Sequence, residues 1–165
     1  MRSTLMAGVV FCAVALSTMA FSGGAFAAGG GGGGTAVEQK PVDPNYTKAK
    51  AMIEAKNYTG AMPLLQQVVA TNPKDADAYV LMGYATRKAG DPNGSLQFYN
   101  TALSLDSRHI GAHEYIGEAY LMLDKPQEAE QHLARLDSIC VFGCAEYKML
   151  KTAVANYKAG KKPTN

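Results

Sequence analysis

The chain has 165 residues, 47% of them apolar and 18% charged, which is enough for one packed domain and too little for two independent cores. Sixteen basic residues against 14 acidic ones give a net charge of +2. That balance argues against a general nucleic-acid surface, because phosphate binding needs a basic stripe.

The first 41 residues concern address rather than fold. Arg2 precedes an apolar run from Leu5 to Phe21, and Ala25-Phe26-Ala27 places small residues where a signal peptidase reads them, so residues 1–27 are expected to be a cleaved secretory signal. The alternative is an uncleaved anchor. No basic residue follows until Lys40, and the glycine stretch between is a poor stop-transfer flank. A lipoprotein reading fails because Cys12 lies inside the apolar run after Phe11. Residues 28–41, with unbroken glycine from Gly29 to Gly34, are expected to be a flexible linker.

From Val42 onward the chain lines up with itself in rows of thirty-four beginning at Val42, Ala76, Ile110 and Cys144. The fourth slot reads Asn45, Tyr79, His113, Tyr147, the eighth Ala49, Gly83, Gly117, Lys151, and the eleventh Met52, Thr86, Tyr120, Val154. The twentieth holds Ala61, Ser95 and Ala129, and the twenty-fourth Leu65, Tyr99 and Leu133. Two helices of about a dozen residues with tight turns fill such a period. The small residues at slots eight and twenty let helices approach closely, while Leu65, Val68, Val69, Leu133 and Leu136 supply the apolar layer between repeats.

Turn signals fall in this frame. Asp43-Pro44 reads as a helix start, Gly90-Asp91-Pro92 closes one helix and opens the next, and Lys125-Pro126 does the same a period later. Asn72-Pro73-Lys74-Asp75 separates the first two repeats. Pro63 is awkward unless the second helix starts near Thr59, which would put it in the first turn.

A large residue, an apolar-plus-small pair, a bulky residue, a small residue and an aromatic or leucine at these spacings resemble the tetratricopeptide repeat. The resemblance implies an all-α fold, a right-handed α-solenoid of about three helix pairs in residues 42–160, with repeats near 42–75, 76–109 and 110–143. A capping helix follows at 144–158, and residues 161–165 are expected to be a disordered tail. Tyr147, Leu150 and Val154 repeat the inward pattern of the earlier first helices, while Lys148, Lys151, Asn156 and Lys158 can face water, as a solenoid cap requires.

Once Cys12 leaves with the signal, Cys140 and Cys144 form an even pair in an oxidising compartment, and a disulfide between them is expected. An uninterrupted helix would hold their Cβ atoms too far apart, so Val141-Phe142-Gly143 should be a turn. So short a loop gives only about 2 kcal/mol in the chain-entropy model. Redox or metal chemistry is the competing reading, but the three-residue gap is not CxxC and there is no second pair for zinc. His109 and His113, four apart, could face one metal ion, yet His113 sits in the large-residue slot and His109 in the preceding turn. His132 stands alone on a second helix and reads as surface. No nucleophile elbow, phosphate loop or zinc-protease motif occurs, so neither an enzyme nor a cofactor is expected.

In tetratricopeptide arrays the first helices line a concave groove that receives a peptide or protein, and the resemblance implies the same here. The groove candidates are Tyr46, Lys50 and Glu54 in the first repeat. The second offers Val80, Tyr84, Arg87 and Lys88, and the third Glu114, Glu118, Leu121 and Met122. One subtype of the family clamps a terminal carboxylate with lysine and asparagine, but Val80 and Tyr84 occupy part of that face here and no asparagine accompanies Lys50. The expected function is a non-catalytic, exported interaction module of the bacterial envelope, periplasmic, with secretion or membrane anchoring as alternatives. A structural or assembly role through self-association or the convex face is the competing function.

Overall fold

The computed structural model describes residues 43–163, all within one compact unit, Gln39–Asn165. The expected signal peptide, its alternative as an anchor, and the glycine linker lie outside the described residues. Seven helices follow one another: α1 Pro44–Glu54, α2 Tyr58–Thr71, α3 Ala76–Lys88, α4 Pro92–Leu105, α5 Ile110–Met122, α6 Pro126–Ile139 and α7 Ala145–Lys158. Each odd helix packs on the next even one, each pair packs on its successor, and α1, α3, α5 and α7 touch in series. That ladder is an all-α solenoid of three helix pairs closed by a single helix.

Local chemistry fixes the helix starts. Asp43, Asn57, Asp75 and Asp91 each accept a backbone N–H in the first turn of α1 to α4 respectively. Asn57 and Asp91 do so from Gly60 and Gly94, and a Cβ on either glycine would stand 2.6 Å or less from the capping side chain. This Asx-x-x-Gly cap recurs at the thirty-four-residue period and then lapses, because Lys125 gives α6 no side-chain cap. Between the two helices of every pair, one slot takes a left-handed backbone: Lys56 at φ 60°, Gly90 at 102° and Asp124 at 59°. Only the middle repeat spends a glycine there.

Pro63 does not fall in the first turn. α2 begins at Tyr58, so Pro63 is its sixth residue and removes the N–H that would have bonded the Thr59 carbonyl. Pro63 is exposed, which leaves that carbonyl to solvent.

The core runs through the solenoid as overlapping clusters rather than one centre. Leu65, Val68, Met82 and Ile53 pack the first pair against α3, Tyr99, Ile116 and Ala119 fill the middle, and Leu121, Leu136, Leu150 and Val154 close the far end under α7. The small slots prove to be close approaches. A Cβ on Gly83 would come within 2.5 Å of the Tyr99 ring, and one on Gly117 within 2.6 Å of Leu150. Gly117 therefore makes room for the capping helix, not for its own partner α6. Cys140 and Cys144 are bonded, with Cα atoms 5.6 Å apart, and Gly143 turns the loop at φ 79°. Of the expected tail, residues 164–165 lie outside the described residues; within it Lys162 pairs with Asp124, whose carboxylate also accepts from the Tyr157 hydroxyl at 2.9 Å.

Candidate binding groove

The serial contact of α1, α3, α5 and α7 makes a single face from the first helices. Within it the residues nearest the helix-pair core are slots five and twelve, seven apart and so on one side of each helix. Slot twelve is Ile53, Arg87 and Leu121, all buried, and slot five holds Val80 and Glu114, also buried. Four of the expected groove residues are therefore not open to a ligand. Val80 packs with Ala102 and Ala112 between α3, α4 and α5, and Leu121 packs with Ala129, Leu136 and Leu150 beneath α7. Arg87 and Glu114 are 2% and 1% exposed and form the floor of the groove instead of its lining. Tyr46 is half-buried against the first core cluster.

The open face belongs to slots six, nine and thirteen. Lys50 and Glu54 are exposed, and Tyr84, Lys88, Glu118 and Met122 are partly so. Lys50, Ile53, Glu54, Lys56, Tyr58, Leu81, Tyr84 and Tyr115 line an open hollow of about 260 Å³. Ile53, Lys56, Tyr58, Leu81 and Tyr115 were not among the expected residues. Slot six carries Leu81 and Tyr115, and its heterogeneity hides it from a search for repetition. A second hollow of about 420 Å³ lies between Glu118 on α5 and Lys148, Met149, Thr152 and Asn156 on α7. The last helix thus caps the core with one side and extends the groove with another.

Arg87 joins the two hollows. Its Nη2 donates to Glu118 Oε2 at 2.8 Å, and its guanidinium lies 5.5 Å from the Tyr84 ring centre and 5.8 Å from that of Tyr115. Its Nη1 also faces the Met122 sulfur at 3.8 Å. Tyr84 and Tyr115 pack on one another with centroids 5.1 Å apart. Three buried polar atoms of this cluster, Arg87 Nε, Tyr99 Oη and Glu114 Oε1, have no hydrogen-bond partner. The Tyr99 hydroxyl and the Arg87 guanidinium are near enough to influence each other's ionisation without reaching hydrogen-bonding geometry. Burial, reinforced by the neighbouring Glu118 carboxylate and only partly opposed by Arg87, pushes Glu114 up to about 8. Burial thus favours the protonated form of Glu114 in the floor, beside the Arg87–Glu118 ion pair.

His109 and His113 do not converge on one point. His109 caps α5, its Nδ1 accepting from Ala112 N at 3.2 Å while Nε2 meets Asp77 at 3.0 Å. His113 points the other way, and His132 is not a lone surface residue: their Nδ1 atoms are 2.9 Å apart. The Ser107 carbonyl, 3.2 Å from His113 Nε2, can only accept, so His113 carries its proton there and accepts from His132 Nδ1–H. Tyr120 stacks on His132 at 5.7 Å. Burial lowers both imidazoles, His132 to about 4 with His113 adding to the effect. Among the described residues no three histidine, cysteine or carboxylate side chains gather as metal ligands.

The family model described as anaphase-promoting complex, cyclosome, subunit 3 matches residues 45–136, more than half of the chain. The chain belongs to this tetratricopeptide-type family. Solved tetratricopeptide structures share its helix arrangement. MamA from Desulfovibrio magneticus RS-1 is 28% identical with a TM-score of 0.55, over 58% of this chain and 54% of MamA. This tetratricopeptide chain thus spans about half the length of the MamA structure it matches. The Yersinia enterocolitica type III secretion chaperone SycD, solved in complex with a peptide of the translocator YopD, is 18% identical over 70% of this chain and 88% of its own, with a TM-score of 0.61. The Arabidopsis OM64 TPR domain is 16% identical over 68% and 93%, with a TM-score of 0.62. No curated protein sequence matches significantly.

Proposed function

We propose that this tetratricopeptide chain is a non-catalytic adaptor of the bacterial cell envelope that holds a peptide or protein segment in its concave groove. The observation that carries this reading is the aromatic-lined hollow above Arg87, where Tyr58, Tyr84 and Tyr115 offer ring surface and Lys50 and Glu54 offer exposed charges. Tyrosine gives contact area at low entropic cost and is among the residue types most enriched at interface hot spots. Arg87 is spent on Glu118 and on two rings, so it acts as scaffold and the rings do the contacting. The peptide held by SycD is a precedent for such a ligand in a chain of this fold. Export is supported by the reading of residues 1–27 and by the Cys140–Cys144 bond, which persists in oxidising compartments.

The test is crosslinking in the native envelope from a photoreactive side chain at position 54. Lys50→Glu with Tyr84→Ala should remove the crosslinked partner at a temperature where both proteins keep full helical content, although losing the Tyr84 ring from Tyr115 and Arg87 lowers the unfolding midpoint. A partner set unchanged by that pair of substitutions would eliminate the groove. Arg87 is unsuitable for this purpose, since its replacement disturbs the fold itself.

A further inference from the structure

The loop between α6 and α7 shows the most exposed large apolar side chains among the described residues: Phe142 is 101% exposed and Val141 78%. A phenylalanine left in water forgoes the stabilisation that burying its ring would give. The loop is also held in shape. Cys140 ends α6 and Cys144 begins α7, the two are bonded, Gly143 N donates to the Cys140 carbonyl at 2.7 Å, and Cys144 Sγ accepts from Tyr147 N at 3.4 Å. A side chain presented on so short and closed a loop loses little freedom on docking.

We propose that Phe142 of one molecule docks into the hollow between Tyr58, Tyr84 and Tyr115 of a second copy, head to tail. The inference rests on the groove reading and names a second copy as an occupant of its first-repeat end. The hollow, about 260 Å³, is smaller than the roughly 300–1,000 Å³ of small-molecule sites and suits one large side chain. Its three rings and Ile53 match an aromatic knob. Charge agrees as well: the nearest charged residues flanking the loop are Asp137 and Glu146, whereas Lys50 and Lys56 outnumber Glu54 at the rim of the hollow. The same acidic flanks disfavour an anionic membrane surface as the target of Phe142. Insertion within one molecule is barred, because α1 and α2 touch neither α6 nor α7. Knob and socket at opposite ends give a heterologous contact, which propagates into chains or closes into a ring. One knob buries less than the roughly 1,200 Å² of a stable interface, so the association is weak and concentration-dependent.

Sedimentation velocity of the purified, oxidised protein over a concentration series tests this. The parent should self-associate progressively, and Phe142→Ser should weaken that association about tenfold or more. Lys50→Glu with Tyr84→Ala should weaken it equally. At concentrations where the parent associates, each variant alone should sediment mainly as monomer, and their mixture should regain the parent's affinity as a 1:1 heterodimer, since one retains the socket and the other the knob. A concentration-independent monomer, self-association indifferent to Phe142→Ser, or Phe142-dependent binding to phosphatidylglycerol vesicles without self-association would each overturn the inference. Those outcomes leave the groove reading standing, because it fails only if the envelope crosslink survives Lys50→Glu with Tyr84→Ala.

Discussion

Arg87 on α3 reaches Glu118 on α5 across a repeat boundary, 2.8 Å from Nη2 to Oε2, from a slot filled by Ile53 and Leu121 in the neighbouring repeats. A cation has taken a core position, and it is held there by one carboxylate, two tyrosine faces and a thioether. Glu118 is 24% exposed and can be partly rehydrated if its partner leaves. Arg87→Ala should therefore cost about 3 kcal/mol, the lower end of what breaking a buried pair costs, as measured by urea unfolding. Arg87→Met, which keeps the bulk, should cost less than Arg87→Ala.

Glu114 makes stability fall with rising pH. Its folded value of about 8 lies above its ordinary value of 4.5, so the native state binds the extra proton between those limits. The contribution is fully present below pH 4.5 and lost as pH rises through about 8. Glu114→Gln removes the titration, and should raise stability by about 1–3 kcal/mol at pH 9 with little effect at pH 4. Urea midpoints at the two pH values check it.

The imidazole pair acts in the opposite direction. His132 has an ordinary value of 6.5 and a folded value of about 4, so the unfolded chain takes up the proton first as pH falls. Its contribution is present above pH 6.5 and lost on acidification through about 4, with a slope of at most about 1.4 kcal/mol per pH unit for each proton. His132→Asn, which keeps an N–H near His113 Nδ1 and cannot titrate in this range, should flatten the acid limb of a thermal-melt pH series.

The two packing glycines should not respond alike. Gly→Ala normally gains about 1 kcal/mol in a helix. At Gly83 the new methyl meets the flat, fully buried ring of Tyr99 at 2.5 Å, so Gly83→Ala should be destabilising by about 2–3 kcal/mol. At Gly117 it meets the methyl end of Leu150 at 2.6 Å, which can change rotamer, and Gly117→Ala should cost about 1 kcal/mol less than Gly83→Ala. Thermal unfolding of the two variants side by side decides the order.

The thirty-four-residue register, the helix pairs, the capping helix and the cysteine turn were all legible in the sequence, because spacing of small and large residues is a local property written once per repeat. So were Gly83 and Gly117 as contact points and Gly90 as a turn, although Lys56 and Asp124 conceal the same left-handed slot in the other repeats. Tertiary structure decided the rest. Helical spacing gives the angle between residues on one helix, not which angle the neighbouring helices cover. Only the stacking of α3 on α5 and of α5 under α7 put Val80 and Leu121 in the core, sank Arg87 and Glu114 into the floor, and brought out Leu81 and Tyr115 as lining. The meeting of His113 with His132, and the shift of Glu114 to about 8, arise from through-space proximity and lost water, which no repeat spacing records.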